Sequence, residues 1–596
     1  MFKIALDKMT RRCVELGLLQ GLLLFGMQKA IEHSFWPLNR PTVLVPLYLL
    51  ILVIPPIAAL LSEQFERRLT WKYIAGLTVV LAGMALYTVR TESWAFDLMR
   101  GSSGEPILLI CLAISATLLC YISIAFAQAR LAAGGPGFSY KHLFEYSWNN
   151  IVSMQISVLF CWIFWMLLGL LGSLFAVLGI QFFVKLYIKP AFFYPVTTGA
   201  LAYGLSFSRM HGTLVLGQRN TLLLVFKNLL PIAAAIALLF LSALPFTGLQ
   251  PIWKTGHATV LLVNLQVCLI FFFNAVYQDG SAAERPYNQW IRRLVLLGIL
   301  TLPIYSTISV YSLGLRIVQH GWTVSRVLAS LIVAVAGLYS LGYGWTVLRR
   351  QAAWMQGIEG VNIRVAAVIM AVAVLLHTPL LDPRLIAARS QVSRLTSGKV
   401  APEKFDFDYL RFHLGKPGQH ALKRLSKLEK HPAAEQIRKL AQAALEKKDY
   451  VRYGKPHNGP ELNAKQFAAK IRWFPVGHPA DAGVAQFLFE RREEHPYRNL
   501  FSGSNENGTV LMADLTGDAQ EEAIVFIPYQ QAPVLVKGKE GWAERAVLEG
   551  EYMDPNALQT LREKIEAGDY QVRPASWKEI SIGGKIFYAM NRDKNK

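Results

Sequence analysis

Charge is scarce in this sequence. Asp, Glu, Lys and Arg make up 17% of its 596 residues, where a soluble domain carries about a quarter. Acids are scarcer than bases, 40 against 61, and 53% of the chain is hydrophobic. A soluble enzyme, a disordered protein and a disulfide-built secreted module are excluded together. Cysteine is also sparse. Cys13, Cys111, Cys120, Cys161 and Cys268 include no C-x-x-C pair, and nothing beyond Cys268 has a thiol to cross-link. Catalytic signatures are missing as well: there is no P-loop, no G-x-G-x-x-G after a strand, no H-E-x-x-H and no G-x-S-x-G. An ATP-driven pump within this chain is excluded, and no residue is assigned as catalytic. The basic excess, a net +21, sits mostly in short loops without a compact Lys/Arg run among exposed aromatics. Nucleic acid is therefore not an expected partner.

What is present is long apolar runs. Residues 1–384 hold 28 Lys/Arg against 13 Asp/Glu, and residues 385–596 hold 33 against 27. The first part has the charge density of a membrane domain, the second that of a soluble one. A span needs roughly 20 apolar residues. Eleven runs qualify, near 14–32, 42–62, 73–90, 106–127, 150–173, 192–210, 229–247, 256–277, 293–314, 327–347 and 364–381. The first is the weakest, because it carries Glu15, Gln20, Gln28 and Lys29. No cleavable signal peptide is expected, and the first run serves as an uncleaved anchor.

Loop charge sets the orientation. One set of loops holds eighteen Lys/Arg, among them Arg11, Arg67, Arg209, Arg292 and Arg349, and the alternate set holds eight. The richer set is expected in the cytoplasm with the N-terminus, which puts everything after residue 384 outside. The expected fold is an α-helical polytopic membrane protein of about 11 spans with a C-terminal extracytoplasmic α+β domain. Its parts are a transmembrane domain (1–384), a helical juxtamembrane segment (385–470) and a β-rich domain (471–596).

Polar residues at membrane depth are costly and often mark a pathway or site. Asn274 lies at hydrocarbon depth in the eighth run, Gln278 and Asp279 follow at its cytoplasmic exit, and Arg316, Gln319, His320 and Arg326 share an outer turn. These seven are the candidate ligand-binding residues. Bonding of amides between helices and of basic side chains with headgroups is the plainer alternative. His377, beside Pro379 at the end of the last run, is expected to be packed or interfacial.

In the last part, GTVLMADLTGDAQEEAIVFIP alternates as strands do. Asp514, Thr516, Asp518, Gln520 and Glu522 have the one-three-five-seven-nine spacing of a calcium loop, and hard Ca²⁺ favours such oxygens. The segment resembles the calcium loops of integrin-type FG-GAP repeats. It departs from them where Ala519 replaces the turning glycine and Thr516 replaces Asn or Asp. Ca²⁺ is thus a candidate cofactor, and an Asp/Gly turn without metal is the alternative.

The runs NAVYQDG, RPYNQWIRR, LPIYSTISVYSLGLRIVQHGWTVSR, LLDPRLIAARSQVSRLTSGKV and FDFDYLRFHLG resemble those of a bacterial multi-pass family, domain-of-unknown-function family 4153. The resemblance implies an inner-membrane location and no established activity, and it transfers no catalytic residue. The expected function is a non-enzymatic envelope protein that handles a small or lipid-like ligand, or that senses or docks a periplasmic partner. One alternative is a transferase acting on a lipid-linked substrate at the outer face. It requires a carboxylate, from Asp382, Asp406 or Asp408, beside Arg316 and His320. The other is an assembly scaffold without a small ligand.

Overall fold

A computed structural model describes residues 8–37, 40–91, 107–134, 137–250, 258–278, 287–349, 357–447, 463–492, 497, 500, 508–527, 531–538, 541–548, 555–567, 569, 580–582 and 585–587. The chain divides into two compact units, Met1–Tyr450 and Val451–Lys596.

The first unit is helical: α1 (Lys8–Glu32), α2 (Pro41–Leu60), α3 (Arg68–Thr91), α4 (Ile107–Ala133), α5 (Tyr140–Val177), α6 (Phe182–Tyr187), α7 (Pro190–Met210), α8 (Gly212–Thr247), α9 (Ala258–Tyr277), α10 (Gln289–His320), α11 (Val324–Arg349), α12 (Ile358–Leu375), α13 (Pro383–Thr396), α14 (Gly415–Leu425) and α15 (Ala434–Glu446). Among the described residues, ten are long and apolar enough to cross a membrane: α1 to α5 and α8 to α12. Helices suit that solvent because they satisfy their own backbone. Their outward faces stay apolar: Met154, Val158, Trp162, Met166 and Leu170 form an exposed stripe along α5. α7 is not among the ten. At 21 residues it reaches about 31 Å, but Thr197, Thr198, Ser206, Ser208 and Arg209 dilute its apolar character.

Contacts along α7 give its direction. Thr10 Oγ1 donates to Met210 Sδ at one end of α1. Toward the other end, Gly21 lies so close to Pro195 that a Cβ would collide. α1 and α7 therefore run antiparallel. Trp165 Nε1 donates to Thr197 Oγ1 at 3.1 Å and Ser157 Oγ donates to the Leu201 carbonyl, which makes α5 antiparallel to α7 too. The Arg209 guanidinium donates to the Ala59 and Leu60 carbonyls at the end of α2 and pairs with Glu63 at 2.9 Å. α7 and α2 thus end on the same side, where a cation faces the negative end of a helix dipole.

Two apolar clusters fill the membrane part. One joins α1 to α4 through Cys13, Ile57, Leu81, Leu112 and Ala116. The other joins α8 to α11 through Leu230, Leu262, Phe273, Ile299 and Tyr343. A third core binds α13, α14 and α15 into a small bundle around Leu395, Leu410, Leu422 and Ile437, and it includes Val324 from the start of α11. The helical pattern read after residue 385 corresponds to this bundle.

The second unit holds α16 (Ala464–Ala469), β1 (Ile471–Phe474), α17 (Ala482–Glu490), β2 (Gly508–Ala513), β3 (Glu522–Phe526), β4 (Ala532–Gly538), β5 (Gly541–Leu548), α18 (Pro555–Glu566), β6 (Ile580–Ile582) and β7 (Lys585–Phe587). The strands form a five-stranded sheet in the order β1-β2-β3-β4-β5 and a separate β6-β7 pair. β1 is parallel to β2, and the pairs from β2 to β5 are antiparallel. Alternate side chains serve two cores. Val510, Met512, Ala523 and Val525 meet Phe467, Val484 and Leu488 on one face. Leu511, Ala513, Ile524 and Val534 meet Ile565 on the other. A sheet covered on both faces explains why β2 is buried throughout.

Candidate functional site

After α12 the chain leaves the apolar region through a short turn, and Asp382 starts the next helix. Its carboxylate accepts from the Arg384 backbone N–H at 2.9 Å, and Pro383 takes the first helical position. The same carboxylate accepts from the Arg384 guanidinium at 3.3 Å and from the Tyr87 hydroxyl at 2.9 Å. Arg384 also donates to Thr91 Oγ1. Asp382 and Arg384 are only 1% and 2% exposed. One turn back, Thr88 Oγ1 lies 2.8 Å from His377 Nδ1. Tyr87, Thr88 and Thr91 share the last turn of α3, so this charged joint ties α3 to the start of α13.

Arg316, Gln319 and His320 end α10 and Arg326 stands in the first turn of α11, and the backbone that joins the two helices is held by α13. The Arg394 guanidinium donates to the Val318 and Gln319 carbonyls, and Gln391 donates to the His320 and Trp322 carbonyls. Trp322 N–H donates to Ser390 Oγ, and Val324 N–H donates to the Tyr409 hydroxyl. The free carbonyls at the end of α10 are thus satisfied by neighbouring side chains. Arg326 turns back to the Gly321 carbonyl at 2.8 Å. Gln319 and His320 are exposed and Arg316 is half-buried. The three carboxylates named for a transferase are engaged elsewhere: Asp382 with Arg384 and Tyr87, Asp406 with the Tyr409 N–H, and Asp408 with Lys447 at 2.7 Å.

The other candidate group belongs to an inner node. Asn274 donates to the Tyr343 hydroxyl at 2.6 Å, and Asn362 donates to Asn274 Oδ1 and to the Tyr140 hydroxyl, both at 2.7 Å. Tyr343 donates to Asn362 Oδ1. Four helices, α5, α9, α11 and α12, thus meet through neutral groups. Deeper along α9, Gln266 accepts from Ser306 at 2.7 Å and donates to Ser309 at 3.2 Å. Gln278 sits half-buried just beyond α9 with φ 55°. Asp279 lies outside the described residues.

The structure therefore separates the candidates. Asn274 joins a network of neutral side chains, and the Arg316–Arg326 turn is a docking joint for α13. Sequence reasoning missed Tyr140, Tyr343 and Asn362, and also Tyr87, Thr91 and Arg384. Asn362, an amide in a largely apolar run, and the Asp-Pro-Arg start of α13 were the available signals.

In the second unit, Asp514 accepts from the Gly517 and Ala519 N–H groups at 2.7 and 3.0 Å, and Asp518 accepts from the Gln520 N–H at 2.9 Å. Glu522, 2% exposed, accepts from the Leu515 N–H and the Thr516 hydroxyl. Ala519 takes a left-handed φ of 63°, a conformation in which glycine carries no Cβ penalty. Among the described residues, no three His, Cys, Asp or Glu side chains group closely enough to hold a metal ion.

A family model, Domain of unknown function (DUF4153), matches residues 34–425, about two thirds of the chain. The matched stretch begins just after α1 and runs to the last residue of α14. No curated protein and no solved structure matches the chain.

Proposed function

The chain belongs to the family of unknown function DUF4153 and is multi-pass by its ten apolar helices, and from that premise we propose a non-enzymatic inner-membrane protein of the bacterial envelope. Its membrane core holds the α13–α15 bundle on the periplasmic side, where the bundle and the second unit sense or dock a periplasmic partner. The observation that carries this reading is the outer turn. Its backbone is occupied by Arg394, Gln391, Ser390 and Tyr409 of the bundle, so the main chain of this turn serves attachment of the bundle.

The orientation rests on eleven crossings with a cytoplasmic N-terminus. Counting α7 as a crossing is supported by its antiparallel run against α1 and α5 and its shared end with α2. With α7 the number is odd, and the chain leaves α12 opposite to its N-terminus. A reporter fusion at Lys596 tests this. Activity from a periplasm-dependent enzyme supports the reading, and fluorescence from a cytoplasm-only reporter overturns it. Docking is tested with a photo-crosslinking residue at Val547, which is 43% exposed on the edge strand β5. A discrete adduct with a periplasmic protein is the expected result, and adducts with lipid alone would remove the docking role.

A further inference from the structure

Helix α14 has two unlike faces. Gly418, Leu422 and Leu425 are buried in the bundle core. On the opposite side, Lys416, His420, Lys423, Arg424 and Lys427 recur at helical spacing and are all exposed, the last in the turn after the helix. No acid occurs between Gly415 and Leu428. Among the described residues, none of these five side chains has an ion-pair partner. The neighbouring α15 differs, since it exposes Glu435 and Glu446 along with Arg438 and Lys439. An unbalanced cationic stripe is therefore a property of α14 and not of the whole bundle.

Position gives the stripe its counterpart. α14 packs against α13 and also touches α3, the helix whose last turn holds Asp382. α13 in turn grips the turn between α10 and α11. α14 thus lies at the level where apolar helices end, which is the depth of lipid headgroups. We propose that the stripe of Lys416, Lys423, Arg424 and Lys427 binds anionic phospholipid headgroups of the membrane that the chain spans. Clustered cations on an amphipathic helix beside a span are suited to phosphate-bearing lipids. Each cation near such a surface favours the engaged state by about fivefold, and the attraction falls as salt screens it. The inference holds for either leaflet and does not depend on the docking role above.

The test is hydrogen–deuterium exchange on the full chain in two nanodiscs, phosphatidylcholine alone and phosphatidylcholine with phosphatidylglycerol. In the anionic disc, exchange across residues 415–427 is expected to slow several-fold, while residues 434–446 stay unchanged. High salt should return the first segment to its rate in the neutral disc. The variant K416Q/K423Q/R424Q/K427Q should lose the protection, and the milder K423Q/K427Q should lose part of it. Equal exchange in both discs would overturn the proposal, as would protection that persists in the fourfold variant. Protection by soluble polyphosphate in the neutral disc, with none from the anionic disc, would transfer the stripe to a soluble polyanion and sink the lipid assignment.

Discussion

The first unit contains two polar nodes of opposite construction, one half-buried around the buried Tyr343 and one almost fully buried at Asp382 and Arg384. The inner node, Tyr140–Asn274–Tyr343–Asn362, uses only neutral groups, and they bond among themselves. The joint at the start of α13 is ionic, with Asp382 and Arg384 almost sealed from solvent. Burying charge is costly unless it is paired and hydrogen-bonded, whereas a closed set of amides and phenols loses far less on entering an apolar region. Charge accordingly occurs at the helix start beyond α12, where the carboxylate also caps α13. The nodes hold different things together. The neutral one fastens four helices of the core, and the ionic one fastens the bundle to the core.

The largest expected effect comes from Asp382→Ala, which strands a buried guanidinium and should cost about 3–5 kcal/mol. Thermal unfolding in detergent, compared with wild type, reads this loss. A cost no greater than that of an inner-node substitution would erase the contrast between the nodes. The double variant Asp382→Leu/Arg384→Met sharpens it. With both charges gone, most of the stability should return, to within about 1–2 kcal/mol of wild type, and a double-mutant cycle measures the coupling. Next comes Asn362→Ala, which opens the neutral network and should cost about 1–2 kcal/mol. Its shift should be insensitive to salt. The smallest is Ser306→Ala beside Gln266, at about 0.6 kcal/mol, the average found for hydrogen bonds between membrane helices. A larger loss would mean that Gln266 depends on this one donor.

Much of the architecture was legible in the residues. Each apolar run announces itself because hydropathy is a sum over neighbours in the chain, and ten of the eleven expected runs form helices of the required length and apolarity. α7 is the instructive case. Its Thr and Ser residues lower its apolarity, yet Thr197 bonds Trp165 and Gly204 lets Ser157 approach, so its polar and small residues belong to helix packing. The β2–β3 hairpin was likewise visible from alternation around the Asp514–Glu522 loop. The parallel pairing of β1 with β2 was not, since residues 471 and 508 meet only through tertiary structure.

The candidate residues fared differently. Polarity at membrane depth singled out Asn274 and the turn that joins α10 to α11. It could not tell whether their bonds went to a ligand or to the protein, because that depends on residues far away in the chain. Asn274 meets Asn362, and the carbonyls after Val318 meet Arg394.

The sequence by itself determined which segments are apolar enough to cross, which loops carry the positive charge, and where strand periodicity replaces helical periodicity. These are local properties of composition and spacing. Only the tertiary structure decided that Tyr87 meets Asp382 and that the bundle occupies the turn between α10 and α11. A buried polar group takes whichever partner the packed helices place within about 3 Å of it, and no single segment of the sequence contains that distance.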